Sequence, residues 1–291
     1  HPMYRRQRQM CIRDRYGKGE AERVVGEAIK ERSRDSFRLT TKCALGSMPD
    51  EEVYDRFNTS LIRSLDTMGT DYVDLFLLHS QLIENDHESQ KPDSSFVATG
   101  NLTTLKSFYD AVVPATETLK KEGKILNWGI GPGQEEAVCD VINSTTPPDA
   151  IQCGVNVLNS LGAIGYASIK PNPKLVLDES KKKDIPILAI RAVQAGALTS
   201  KMDREPHPSG FDHPDFADYE KAQPFRELAE DWGESPASLA HRYALSIDKV
   251  GSVILGIKNR EELIECLEAE KKGRLDTEQI CTCLLYTSDA A

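Results

Sequence analysis

Short apolar runs alternate along the chain with stretches whose apolar residues recur every three to four positions, the pattern of strands interleaved with amphipathic helices. A first helix is predicted from Gly19 to Glu31, with Val24, Val25, Ala28 and Ile29 as its apolar stripe. Phe37 to Thr41 reads as a short strand ending at Lys42. Asp50 suits the N-cap of a helix carrying Val53, Phe57, Leu61 and Leu65, with Gly69 near its end. Tyr72 to Leu78 is apolar except at Asp74 and ends at His79, as expected of a parallel strand buried on both faces. Further strands are predicted at Ile125–Ile130, Ala150–Asn156, Ile185–Arg191 and Ser252–Leu255. Helices are predicted at Val112–Glu122, Gln134–Ile142, Pro224–Trp232 and Pro236–Ser246, with a final one at Arg260–Glu270. Ser235 caps the helix that opens on Pro236. Pro171 and Pro173 break the first part of a helix before Ile185. Ser80–Lys106 and Thr199–Gln223 are polar and aperiodic, and read as long loops, which usually carry function.

These runs amount to six parallel-type strands with their helices. A closed (β/α)-barrel has eight strands. An open, doubly wound sheet also fits six, but it prefers a glycine-rich turn after its first strand, and none is present. The pattern alone leaves both open. A length of 291 residues suits one large domain of either kind.

The net charge of −10 argues against a sequence-independent nucleic-acid surface, which needs clustered Lys and Arg. No apolar run approaches the roughly 20 residues of a membrane span. Seven cysteines are scattered with no CxxC or Cys/His spacing, which fits reduced thiols in a cytoplasmic protein. His207 and His213, with Asp212 and Asp215, lack a fixed ligand spacing and read as a solvated loop, so no metal is expected.

The two ends stand apart. Met10 to Arg15 can be encoded by ATG-TGT-ATA-AGA-GAC-AGA, and the reverse complement of that string, in a shifted frame, encodes Cys-Leu-Leu-Tyr-Thr, the sequence of Cys283 to Thr287. Unrelated protein ends have no reason to be complementary strands of one DNA element, and the string resembles a sequencing adapter. Residues 1–15 and 283–291 are therefore expected to be non-native, leaving 16–282 as one domain.

Chemistry-bearing residues fall where strands end or helices begin. Tyr16-Gly17 precedes the first helix, Lys42 closes a strand, and Ser64-Leu65 through Gly69, Asp71-Tyr72-Val73-Asp74-Leu75 and His79 close the next. Gln152 and Asn156 lie on a later strand. Near the end, Ser252-Val253-Ile254-Leu255-Gly256 leads into Asn259-Arg260-Glu261-Glu262-Leu263. In this order the motifs resemble the aldo-keto reductase family over Tyr16 to about Ala269. The resemblance implies a (β/α)8 TIM barrel of which six strand–helix units are present, since the family has two strands before its Tyr-Gly motif.

It also implies roles. Tyr16 would give its proton to a carbonyl oxygen, and Lys42 would lower the phenol's pKa by favouring the phenolate. His79 would hydrogen-bond and orient the substrate oxygen. Cys11 stands where the family has a catalytic Asp. Gln152 matches the residue that holds the nicotinamide carboxamide, and Arg191 falls where a planar group stacks on that ring. Gly131-Pro132 replaces the family's Ser-Asn. Gln194 to Leu198 resembles a phosphate-side loop, and Gly256, Lys258, Asn259 and Arg260 precede the last helix, whose N-terminus suits a phosphate. Glu262 and Cys266 stand where the family usually has Arg and Asn. NADP is the family's usual cofactor, and the acid at Glu262 keeps NAD in play. Tyr16, Lys42, His79 and Gln152 are expected around one concave site bordered by Gly256–Arg260.

The expected activity is hydride transfer between the nicotinamide and a small aldehyde, ketone or alcohol, with no nucleic-acid or membrane partner. Two rivals are a cofactor-binding or regulatory relative with little turnover and a barrel aldolase using Lys42 as a Schiff-base lysine. The aldolase reading leaves Tyr16, His79 and Gln152 without a role. The 291-residue chain itself is expected to be inactive and its complete parent active.

Overall fold

The computed structural model describes residues 19–46, 48–84, 102–165, 171–202 and 214–288. They form two compact units, one ending at Ile151 and one beginning at Gln152.

The first unit opens with α1 (Glu20–Ile29), then β1 (Thr40–Cys43), α2 (Val53–Met68) and β2 (Val73–Leu78). A pair of short strands follows, β3 (Gln81–Ile83) and β4 (Leu102–Thr104), then α3 (Val113–Lys121), β5 (Ile125–Ile130), α4 (Glu135–Asn143) and the start of β6 (Ala150–Gly154). Its main sheet runs β1-β2-β5-β6, all parallel. Lys42 lies opposite Leu77 and Cys43 opposite Leu78. Helix α2 buries Phe57, Leu61 and Leu65, the stripe its sequence predicts, and Phe57 meets Phe76 edge to face at 5.2 Å. Gly129 on β5 has no room for a side chain, because a Cβ there would lie 2.3 Å from the Ala150 carbonyl oxygen.

Helix α1 departs from expectation. Val24, Val25 and Ala28 are exposed, and Glu22 is buried instead. The packing face is Glu22, Gly26 and Ile29, and a Cβ on Gly26 would come within 2.9 Å of the Thr67 carbonyl oxygen. The helix therefore seats on α2 by backbone proximity rather than by its most apolar stripe. The Ser80–Lys106 stretch is not wholly loop, since β3 and β4 pair in parallel within it and a helical turn begins at Leu105. A π-type turn, Phe108–Val112, leads into α3 just before Pro114, which has no N–H to continue the helical ladder.

The second unit carries the rest of β6, then α5 (Pro173–Lys183), β7 (Ile187–Ile190), α6 (Pro214–Lys221), α7 (Gln223–Asp231), α8 (Pro236–Ser246), β8 (Val250–Val253), α9 (Arg260–Lys272) and α10 (Thr277–Ser288). Its strands are ordered β6-β7-β8, and the parallel α/β sheet has six strands among the described residues. Phe225, Leu228, Leu239, Ala240 and Tyr243 from α7 and α8 make its core with Leu275 and Cys283. Pro173 begins α5 instead of breaking it, because its missing N–H costs nothing in a first turn. Helix α6 occupies part of the stretch expected as a loop, and α10 follows the helix expected to be last. Cys283 lies buried within α10. Among the described residues, β1 has β2 as its one neighbour and β8 has β7.

Candidate active site

In the first unit, Lys42 and His79 sit at the ends of adjacent strands. The His79 N–H donates to the Cys43 carbonyl at 2.8 Å, which carries the β1–β2 ladder one step past Leu78 and levels the two strand ends. Both side chains are half-buried. Burial, and then the Lys42 ammonium, push the His79 pKa down to about 3. The imidazole is consequently neutral near pH 7, with one nitrogen a donor and the other an acceptor. Beneath it, burial pushes the Cys43 thiol up to about 12, so it is an inert packing group.

The segment after His79 is fixed from several sides. The Leu45 N–H donates to Ser80 Oγ at 2.9 Å. The Gln134 N–H donates to the Leu82 carbonyl at 2.8 Å, and the Glu84 N–H donates to Gln134 Oε1 at 2.9 Å. A Cβ on Gly133 would lie 2.7 Å from the Leu82 backbone. Gly131-Pro132-Gly133, read from sequence as a departure from the family, is thus the surface on which β3 seats.

In the second unit, Gln152 is 4% exposed, and among the described residues its side-chain amide makes no hydrogen bond. A buried primary amide with its donor and acceptor unused fits a carboxamide, which offers the complementary pair. Asn156 is committed elsewhere: its Nδ2 donates to the Ser160 carbonyl at 2.8 Å and to Gln194 Oε1 at 3.2 Å. Arg191 pairs with Asp215, and its Nε donates to Gln194 Oε1 at 2.8 Å. The guanidinium is therefore held in an ion pair with an acid of α6.

Residues 256–260 are exposed. Asn259 caps α9, its Oδ1 accepting from the Glu262 N–H at 2.8 Å. Glu262 folds back: its carboxylate accepts from the Lys258 N–H at 2.8 Å and lies 3.4 Å from the Lys258 ammonium. Tyr16, His207, Asp212 and His213 lie outside the described residues. No cluster of three or more metal-ligating side chains occurs among the described residues, and none of their helices is long and apolar enough to cross a membrane. The buried Gln194, Asp215 and Asp218 form, with the half-buried Ser160, a polar group that the sequence pattern did not reveal. Pro214 followed by Asp215 and Asp218, a helix-start signal, would have pointed to α6.

An α/β chain of parallel strands with a lysine and a neutral histidine at adjacent strand ends has the makings of a barrel oxidoreductase. Residues 13–283 match the aldo/keto reductase family, and the chain belongs to it. It is 26% identical over 277 residues to the uncharacterized oxidoreductase YqkF of Bacillus subtilis (strain 168), covering 92% of this chain and 79% of that protein. Aldo-keto reductase YhdN of the same organism is 28% identical over 247 residues, covering 79% of this chain and 64% of YhdN. L-galactose dehydrogenase of Arabidopsis thaliana is 22% identical over 259 residues, covering 87% of this chain and 70% of that enzyme. Among solved structures, the holo form of aldo-keto reductase AKR11C1 from Bacillus halodurans superposes with a TM-score of 0.69 at 19% identity, covering 94% of this chain and 80% of that one. At that identity the likeness shows the fold, and it decides for the (β/α)-barrel type over the open sheet. Members of the family are generally NAD(P)-dependent oxidoreductases.

Proposed function

We propose that the protein interconverts a small aldehyde or ketone with its alcohol, using a nicotinamide dinucleotide. A bound nicotinamide supplies or takes the hydride. The observation that carries the reading is the placement of His79 and Lys42 at the ends of adjacent strands, where burial and the Lys42 ammonium favour a neutral imidazole. A neutral imidazole N–H can donate to a carbonyl oxygen and orient it, and its bond strengthens as that oxygen gains negative charge. Lys42 lends positive charge to the same region, and Tyr16 is the proton donor that the family resemblance assigns. Gln152 would hold the carboxamide through its unused amide, and residues 256–260 the adenosine end.

The family default is NADP. Glu262 already takes the Lys258 N–H and sits beside its ammonium, which disfavours a second anion there and makes NAD the competing cofactor. A panel of aldehydes and ketones should drive oxidation of NADPH or NADH by the protein. His79→Ala should lower turnover at least tenfold while leaving dinucleotide affinity within about threefold. Unchanged turnover in that variant would remove His79 from the chemistry. A second reading, a dinucleotide-binding relative with little turnover, is favoured by the engagement of Arg191 with Asp215. Tight NADPH or NADH binding with no carbonyl-dependent oxidation by the unmodified protein would select it.

A further inference from the structure

The turn after β7 is built from residues that ordinarily avoid its geometry. Arg191, Gln194 and Ala195 have φ of 57°, 44° and 52°, and none is glycine. Side chains with a Cβ persist in the left-handed region only where their surroundings over-determine them. Here the surroundings come chiefly from α6. Asp215 and Asp218 lie three residues apart on that helix, 2% and 5% exposed. Asp215 pairs with Arg191. Asp218 Oδ2 accepts from Gln194 Nε2 at 2.6 Å and from Ser160 Oγ at 2.7 Å. Gly162, itself at φ 51°, closes the cluster, and a Cβ there would fall 2.1 Å from Asp215 Oδ1, 2.5 Å from Arg191 Nη2 and 2.9 Å from Gln194 Nε2.

The turn is also tied to the strand that carries Gln152. The Val155 N–H donates to the Ile190 carbonyl at 3.0 Å, and Asn156 Nδ2 donates to the Arg191 carbonyl at 3.3 Å. The strained turn, the end of β6 and α6 thus share one hydrogen-bonded network, at the strand ends where barrels of this type build their sites.

We propose that Asp215 and Asp218 are positioning residues: they hold the Arg191–Gly196 turn in its left-handed form, so that dinucleotide affinity depends on α6 being docked against it. The coupling to dinucleotide rests on the function proposed above, whereas the hold on the turn does not. The Arg191 guanidinium is satisfied by Asp215 and the Gln194 amide by Asp218, so loss of either carboxylate's charge weakens the hold on its partner, and the two partners are themselves joined through Arg191 Nε and Gln194 Oε1.

The test uses the full chain and the variants Asp215→Asn, Asp218→Asn, Gly162→Ala and Arg191→Lys. Hydrogen exchange of peptides spanning residues 191–199 is compared with that of the α7–α8 core, and binding of NADPH and NADH is followed by their own fluorescence. The expected result is exchange at least tenfold faster in 191–199 with the α7–α8 core unchanged. For Asp215→Asn, Asp218→Asn and Gly162→Ala, dinucleotide dissociation constants should rise at least tenfold, and turnover at saturating cofactor should stay within about threefold. Arg191→Lys, which keeps the charge, should fall between wild type and Asp215→Asn. Gly162→Ala attacks the network without removing a polar group and should reproduce the pattern. Unchanged exchange in 191–199 for Asp215→Asn and Gly162→Ala would overturn the proposal, as would loss of protection throughout the second unit. Faster exchange in 191–199 with unaltered dinucleotide affinity would overturn the coupling. Failure of the unmodified chain to bind either dinucleotide would count against the proposed function, and the exchange data would still decide the hold on the turn.

Discussion

At the scale of single residues, His79 links the site to the stability of the fold. Its folded pKa, about 3, lies below the usual 6.5. Between those values the unfolded chain binds a proton at this residue and the folded chain does not, so stability rises with pH through that window and falls on acidification. The urea midpoint of the His79→Gln variant should therefore change less between pH 6.5 and pH 4 than that of the parent, because the amide does not titrate. Parallel midpoint curves for the two proteins would show that His79 is not held neutral by the fold. Cys43 is silent over the same range, its thiol lying far above it. The identities of Lys42 and His79 were legible from their places at the ends of apolar runs. The neutrality of His79 was not, because it arises from burial and from a charge on a neighbouring strand, neither of which is local in sequence.

Elements divide by whether hydropathy alone specifies their contacts. Helix α2 and strands β2 and β5 were legible because their buried faces are made of large apolar side chains at the right period. Helix α1 was legible as a helix but not as a surface. Its contact with α2 runs through Gly26, which adds nothing to an apolar stripe, and its exposed face carries the valines. Strands β3 and β4, of three residues each, are too short to show alternation. Helix α6 was hidden because its buried positions include Asp215 and Asp218, whose reason for burial lies in a turn more than 20 residues upstream.

Helix α9 shows the same limit at its start. The sequence reveals cations before it and an acid within it, and the structure adds that Glu262 folds back onto the Lys258 N–H. Removing that carboxylate's charge in Glu262→Gln should shift the ratio of NADPH to NADH affinity toward NADPH by about threefold to tenfold, in line with ~0.7–1.4 kcal/mol for one charge near a helix terminus. Measured dissociation constants check this, and a ratio unchanged or moved toward NADH would place the 2′-position of the dinucleotide away from Glu262.

Across the whole molecule, a net charge of −10 coexists with a strand that has one neighbour among the described residues. Among the described residues β8 has a single neighbour, and just beyond it Ile254, Leu255 and Ile257 are 40%, 38% and 43% exposed. An unpaired backbone edge flanked by exposed aliphatic side chains is a template for another chain. Like charge on every molecule opposes that encounter at a distance, but only over the Debye length, about 10 Å at 0.1 M salt and about 3 Å at 1 M. Colloidal behaviour should therefore invert the usual benefit of moderate salt. Light scattering at fixed protein concentration should climb as sodium chloride rises from 20 mM to about 0.5 M, where the screening length is only a few ångströms. The variant Ile254→Glu, which adds a like charge at the end of the edge itself and would have to be desolvated on pairing, should stay clear over the same range. Purification schedules that finish on a high-salt column would select against this chain, and dilute, low-salt storage would preserve it.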